Sequence, residues 1–243
     1  MKARHFLLGA TLLSAGLLFN APLFAAVESD VVGYTTITPK AAGYAIVSFP
    51  FEYLNGAEDG AYPIQQVTGN LASSMLVPLA DKLMVLEIDK SYKEYYLSTD
   101  QGWMDRSTNT PTTAIVTPGS AVFINSRLLD VSVVASGKVC SEEQVTVPIT
   151  QGYNLVSNPY PVETKIADIK GVGLSASALP PLSDKIMVLN PQTKEYVTYY
   201  YTNAGWKRDG VGDETTDVIP VGSGFYYQKI LPSEGSLTFT RPY

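Results

Sequence analysis

Gly43-Tyr44-Ala45-Ile46-Val47-Ser48-Phe49-Pro50 returns 109 residues later as Gly152-Tyr153-Asn154-Leu155-Val156-Ser157-Asn158-Pro159. Each copy opens on a glycine, runs through apolar and β-branched side chains, and stops at a proline that cannot donate to a ladder. Each copy is therefore a short strand. Four more blocks recur in the same order. Leu79-Ala80-Asp81-Lys82-Leu83-Met84-Val85-Leu86 comes back as Leu182-Ser183-Asp184-Lys185-Ile186-Met187-Val188-Leu189, and Lys93-Glu94-Tyr95 as Lys194-Glu195-Tyr196. Gly102-Trp103 returns as Gly205-Trp206, and Gly119-Ser120 ahead of Val122-Phe123 as Gly222-Ser223 ahead of Phe225-Tyr226. Most of these later blocks lie 103 residues apart. A kept order at near-constant spacing identifies an internal duplication.

Each unit is β in character. Opening strands are expected at Val31 to Thr38 and Val145 to Thr150, hairpins after Lys82 and Lys185, and closing strands at Val131 to Ala135 and Ser236 to Thr240. The turns Thr99-Asp100-Gln101-Gly102 and Thr202-Asn203-Ala204-Gly205 carry residues that tolerate positive φ. Ile64, Val67 and Leu71, and likewise Ile166 and Ile169, have helical spacing, which predicts one short helix per unit. The fold class expected is all-β, with two tandem homologous β-sandwich or small β-barrel domains of about seven short strands each. The boundary falls in Ser136 to Glu143, giving domains at 26–139 and 140–243 behind a signal peptide at 1–25.

The leader is read from Lys2 and Arg4, the apolar run Phe6 to Leu18, and small residues suited to cleavage after Ala25. Its removal takes the only histidine and two of the 17 basic residues but none of the 23 acidic ones, so the formal charge moves from −6 to −8. A chain without histidine has no Ser-His-Asp or Cys-His catalysis and no His-ligated metal. One cysteine excludes an intrachain disulfide. An acidic balance argues against nucleic acid, whose phosphates call for a Lys/Arg footprint. No later stretch is long and apolar enough for a membrane helix, and the strands are shorter than membrane-barrel strands. An exported protein is expected, in the periplasm, on the outer surface or outside the cell, and not an integral membrane protein.

Gly152-Tyr153-Asn154-Leu155-Val156-Ser157-Asn158-Pro159 resembles the "GWNLISLP"-type β-repeats of secreted and cell-surface proteins in Gram-negative bacteria. Those modules also carry a later Pro-Gly-x-Gly-aromatic turn. Here it reads Pro220-Val221-Gly222-Ser223-Gly224-Phe225-Tyr226, and Pro118-Gly119-Ser120-Ala121-Val122-Phe123 in the first unit. Tyr stands for Trp after the first Gly, and Ala121 for the second Gly of the first turn. The resemblance implies an extracytoplasmic β module and carries over no catalytic residue.

The expected role is non-catalytic: a secreted or surface-associated structural or adhesive protein, without cofactor. One alternative is a carbohydrate-binding module that stacks sugar rings on Trp103, Trp206, Tyr199, Tyr201 and Tyr227, whose rings offer flat apolar faces with polar tips. The other is a secreted hydrolase with an unrecognised carboxylate pair, for which Asp81 and Asp184 are the equivalent acids. Asp209, Asp213 and Asp217 lie on a Gly-containing loop and are the weak candidates for a metal, against a solvated hairpin loop. Cys140 is either a small buried apolar residue or an exposed thiol that joins two chains. Expected partners are an extracellular glycan, envelope or surface proteins, or a second copy of the chain.

Overall fold

The computed structural model describes residues 31–38, 42–54, 60–127, 131–190, 192–211 and 216–243. The expected signal peptide lies outside the described residues. The first half of the chain contributes β1 (Val32–Ile37), β2 (Gly43–Ser48), β3 (Tyr62–Pro63), β4 (Thr68–Asn70), β5 (Lys82–Leu86), β6 (Tyr92–Ser98), β7 (Gly102–Asp105), β8 (Thr110–Pro111), β9 (Ile115–Val116), β10 (Ala121–Ser126) and β11 (Ser132–Lys138). The second contributes β12 (Gln144–Ile149), β13 (Gly152–Ser157), β14 (Thr164–Lys165), β15 (Lys170–Val172), β16 (Lys185–Leu189), β17 (Tyr196–Thr202), β18 (Gly205–Arg208), β19 (Val218–Ile219), β20 (Gly224–Lys229) and β21 (Gly235–Thr240). The protein is all-β.

Strand order repeats between the halves. β1-β11-β4 matches β12-β21-β15, β2-β10-β5-β6-β7 matches β13-β20-β16-β17-β18, and β3-β9 matches β14-β19. The strands outnumber the seven expected per unit because several are two- or three-residue ladders, too short to show as alternation in sequence.

The expected helices are absent. Ile64–Gln66 and Ile166–Asp168 are three-residue 3₁₀ turns, and the chain is extended again at Val67 and Ile169. The helical spacing there has another cause. Ile64 and Val67 both point into the core, one from the turn and one from the chain that leaves it towards β4. The sequence match of Lys93-Glu94-Tyr95 with Lys194-Glu195-Tyr196 is also out of register. Leu86 faces Tyr92 and Leu189 faces Tyr196, so Tyr196 is the structural equivalent of Tyr92 and the second turn is one residue longer.

Alternation along the central strands explains why both their faces are buried. On β2, Ala45 and Val47 join the first-half core while Ile46 points the other way. On β10, Val122 and Ile124 face that core while Ala121 and Phe123 face out of it. In the second half Val156, Phe225 and Tyr227 face their own core, whereas Leu155 and Tyr226 turn to the opposite side. The outward sets meet. Ile46, Ala121, Phe123 and Leu155 form one buried cluster, with Met84, Leu86, Leu189 and Tyr226 packed on it. The halves therefore lie sheet against sheet along a seam.

The seam contacts are reciprocal, as in a two-fold dimer. The Ser48 amide donates to the Gly222 carbonyl at 2.8 Å, and the equivalent Ser157 amide donates to the Gly119 carbonyl at 2.8 Å. Gly119 and Gly222 have φ of 82° and 75°. A Cβ on Gly119 would lie 2.2 Å from Val147 Cγ2, and one on Gly222 would lie 2.4 Å from Ile37 Cγ1. Each glycine thus abuts the core of the other half. Gly222→Ala should cost about 2–5 kcal/mol, from a left-handed backbone and an overpacked contact together. Gly210→Ala, at φ 78° with nothing nearby, should cost only the backbone part, about 1–2 kcal/mol. Urea unfolding of the two variants checks the difference; equal losses would mean that the seam contact constrains nothing.

Candidate functional site

Six aromatic rings gather where the seam opens to solvent. Phe123 of β10 and its equivalent Tyr226 of β20 lie at the centre, ring centroids 5.6 Å apart. Tyr44 and Tyr92 pack edge-on against Phe123 at 6.2 and 5.8 Å, Tyr153 packs edge-on against Tyr226 at 5.6 Å, and Tyr196 lies tilted against Tyr226 at 5.8 Å. These four outer tyrosines are 41–49 % exposed, so each is anchored on one side and open on the other. The Tyr92 and Tyr226 hydroxyls meet across the seam. Burial pushes the phenols of Tyr92, Tyr196 and Tyr226 up from the ordinary tyrosine value, so all three are protonated donors at neutral pH.

Two cavities flank this pair. One, about 440 Å³, is lined by Tyr44, Met84, Tyr92 and Phe123 from the first half and Leu189, Lys194, Tyr196 and Tyr226 from the second. The other, about 210 Å³, is lined by Tyr153, Met187 and Tyr226 with Leu86, Lys90 and Tyr92. Each lysine crosses to the opposite half. Lys194 Nζ donates to the Tyr44 carbonyl at 3.1 Å, and Lys90 Nζ to Thr150 Oγ1 and Asn154 Oδ1 at 2.7 and 3.2 Å. Partial burial draws both ammonium groups below the ordinary lysine value. A larger hollow of about 730 Å³ along β15 and β21 mixes Glu163 and Asp168 with Lys165, Lys170 and Arg241, and brings no one chemistry together.

The residues expected to stack on sugars are elsewhere. Trp103 and Trp206 are 1 % and 2 % exposed, and their indole N–H groups donate to the Val67 and Ile169 carbonyls. Tyr227 and Tyr199 are buried, and Tyr201 is half-buried with its ring centroid 4.9 Å from that of Trp206. These rings fill and border the cores, so neither tryptophan has a face for an external ring. A strand-turn Gly followed by Trp in both units marks a core position here, as strand alternation allows.

Asp81 and Asp184 are completely buried, each within its own half. Asp81 accepts the backbone amides of Ala72 and Arg127 at 2.8 and 2.6 Å. Asp184 accepts those of Ser175 and Ile230, at 2.9 and 2.8 Å, and the Tyr227 hydroxyl at 2.7 Å. They form no dyad; they tie loops to strand ends. The following lysine does not pair with this Asp in the first half, because Lys82 meets Glu94 at 2.7 Å.

Asp217 accepts from Tyr199, and Asp209 is exposed, while Asp213 lies outside the described residues. Among the described residues no three His, Cys, Asp or Glu side chains gather as metal ligands. Cys140 is 4 % exposed in the second-half core, and burial pushes its thiol up from the ordinary value. Residues 141–143 face solvent while Cys140 turns in, so of the two alternatives the structure shows the small buried apolar residue. No described helix is long and apolar enough to cross a membrane.

Sequence comparison with protein-family models and with curated proteins, and structural comparison with solved structures, found no match.

Two carboxylate predictions follow from these geometries. The Ser107 hydroxyl and amide, together with Lys93 at 3.0 Å, hold the Asp105 carboxyl down at about 2. A lowered carboxyl stabilises the fold above its unfolded pKa of about 3.9, and that contribution is lost as pH falls through its folded value. Asp105→Asn should therefore lower the thermal midpoint at pH 7, and the gap to the wild type should shrink as pH falls from about 4 towards 2. Asp184→Asn should cost about 1–3 kcal/mol for each amide or hydroxyl left unsatisfied, read by urea unfolding at pH 7.

Proposed function

We propose that this is a non-catalytic exported protein with a structural or adhesive role, built from two homologous β-sandwich domains at 26–139 and 140–243 behind a signal peptide at 1–25. The domains are fused into one unit, and the aromatic seam is its contact face. What carries the reading is the ring of half-exposed tyrosines, Tyr44, Tyr92, Tyr153 and Tyr196, around two open apolar cavities. Contiguous exposed apolar surface on a soluble protein marks an interaction site more often than a structural need, and small-molecule sites favour domain interfaces.

The division into domains is supported by the cores. The first core cluster runs from Ile37 to Ala135 with Val139 packed on it, and the second begins at Cys140. A non-catalytic role is supported by the shared polar residues, since Asp81 and Asp184 are spent on backbone amides. Carbohydrate binding is a second reading within the same site. It moves from the buried tryptophans to the seam tyrosines, where ring faces lie beside phenol hydroxyls.

The test is adhesion of the exported chain to a glycan array and to a Gram-negative envelope fraction, with Tyr44→Ala/Tyr153→Ala alongside. The variant should stay folded, because both rings sit at the rim, and should bind roughly 5- to 150-fold more weakly, given about 0.5–1.5 kcal/mol for each of two lost aromatic contacts beyond its area. A folded variant that adheres like the wild type would remove the seam as the contact face.

A further inference from the structure

The two cavities are related by the duplication, the second being about half the volume of the first, at about 210 against 440 Å³, and without Phe123 or Tyr196 in its lining. Tyr44 and Met84 line the first and their equivalents Tyr153 and Met187 line the second, while Lys194 and Lys90 each arrive from the opposite half. We propose that each cavity is a subsite for a carboxylated sugar ring, with Lys194 or Lys90 as the anion-binding group. This rests on the seam being the contact face.

The argument for an acidic ligand is local charge. The chain carries a formal −6, yet among the described residues no Asp or Glu lines either cavity, and each has a lysine at its rim. One ammonium per subsite matches a single carboxylate. A phosphate dianion is better held by several donors or by the planar fork of arginine, and no described arginine lines either cavity. The ring faces argue for a sugar, because a pyranose presents an apolar C–H face to an aromatic ring and hydroxyls to phenols. The cavities are open grooves at the surface, which suits a ring laid flat on them.

The backbone adds an independent sign. Lys90 and Lys194 have φ of 68° and 60°. Left-handed backbone is favoured by Gly and tolerated by Asn, and costs a long side chain more. At equivalent hairpin tips both halves nonetheless hold lysine there, and this conformation carries the side chain over the seam towards Gly152 or Gly43, whose Cβ position lies 3.9 Å from the lysine Cε. Backbone strain tends to sit where function requires a particular aim.

The experiment is calorimetric titration of the exported chain with trigalacturonate, and with maltotriose as the neutral counterpart. Trigalacturonate should bind at least tenfold more tightly. Lys90→Asn and Lys194→Asn keep the backbone conformation and remove the charge; each should abolish one of two sites, halving the stoichiometry, and the double variant should lose the preference for acid while its melting curve stays cooperative. Equal binding of both sugars, unaffected by the lysine variants but lost in Tyr44→Ala/Tyr153→Ala, would overturn the acidic ligand and leave the seam as a glycan site. Binding that survives the tyrosine variant as well would overturn the seam itself. No binding of either sugar would overturn this proposal, and the adhesion of the tyrosine variant would still decide the contact face.

Discussion

The central sheets of this protein are apolar on both faces, and neither half alone can cover the second face. Ile46, Ala121 and Phe123 of the first half are buried only because Leu155, Leu189 and Tyr226 of the second lie against them. Burial of apolar surface is worth about 25 cal/mol per Å², and a sheet left with such a face would be both less stable and prone to associate. The duplication is consequently more than tandem repetition. It supplies each sheet with its partner, in the isologous geometry of a dimer, within one chain. The Gly119 and Gly222 carbonyls, which receive Ser157 and Ser48 amides, fix the register of that contact.

The cores behind the seam reuse one set of devices with small differences. Both tryptophans cap the chain leaving the 3₁₀ turn by donating to its carbonyl, at 2.9 and 2.8 Å. Both buried aspartates hold the loop before the next strand. A buried carboxylate is tolerated only when donors replace its water. Asp184 has the Tyr227 hydroxyl as well as two amides, and the same burial and carboxylate that keep that phenol protonated make it a donor. The structural equivalent of Tyr227 in the first half is Ile124, which brings no such group.

Much of this was legible in the residues. Strand identity, the recurrence, and the turns at Gly102 and Gly205 follow from β-branched runs, prolines and glycines. The helices expected at Ile64 and Ile166 failed because a three- or four-residue spacing also arises when a 3₁₀ turn and the next extended residue both feed one core. The site was harder. Trp103 and Trp206 drew attention as large aromatics after a turn, but alternation from the turn points them inward. Tyr44, Tyr153 and Tyr196 of the seam stand within the recurring blocks. Tyr44 and Ile46 share one face of β2, while Ala45 and Val47 share the other, and both faces are apolar. A strand in an antiparallel sheet with two apolar faces is covered on both sides, and that pattern was the available signal. What covers the second face depends on sequence-distant packing, which no local pattern encodes.

The position of the lysines ties stability to function. A seam designed only to hold two sheets together would close its rim with apolar side chains and place Gly or Asn at the left-handed turns. Here the interior of the seam is apolar and tightly packed, but the rim is aromatic, half open and bounded by two ammonium groups at strained positions. Those rim features add little to cohesion: the bonds from the lysines to the Tyr44 carbonyl, Thr150 and Asn154 are contacts to neutral oxygens at or near the surface, and such bonds contribute on the order of 1 kcal/mol net. The left-handed backbone costs each lysine a similar amount. Cohesion therefore explains the buried centre of the seam and leaves its rim to be explained by what the rim contacts.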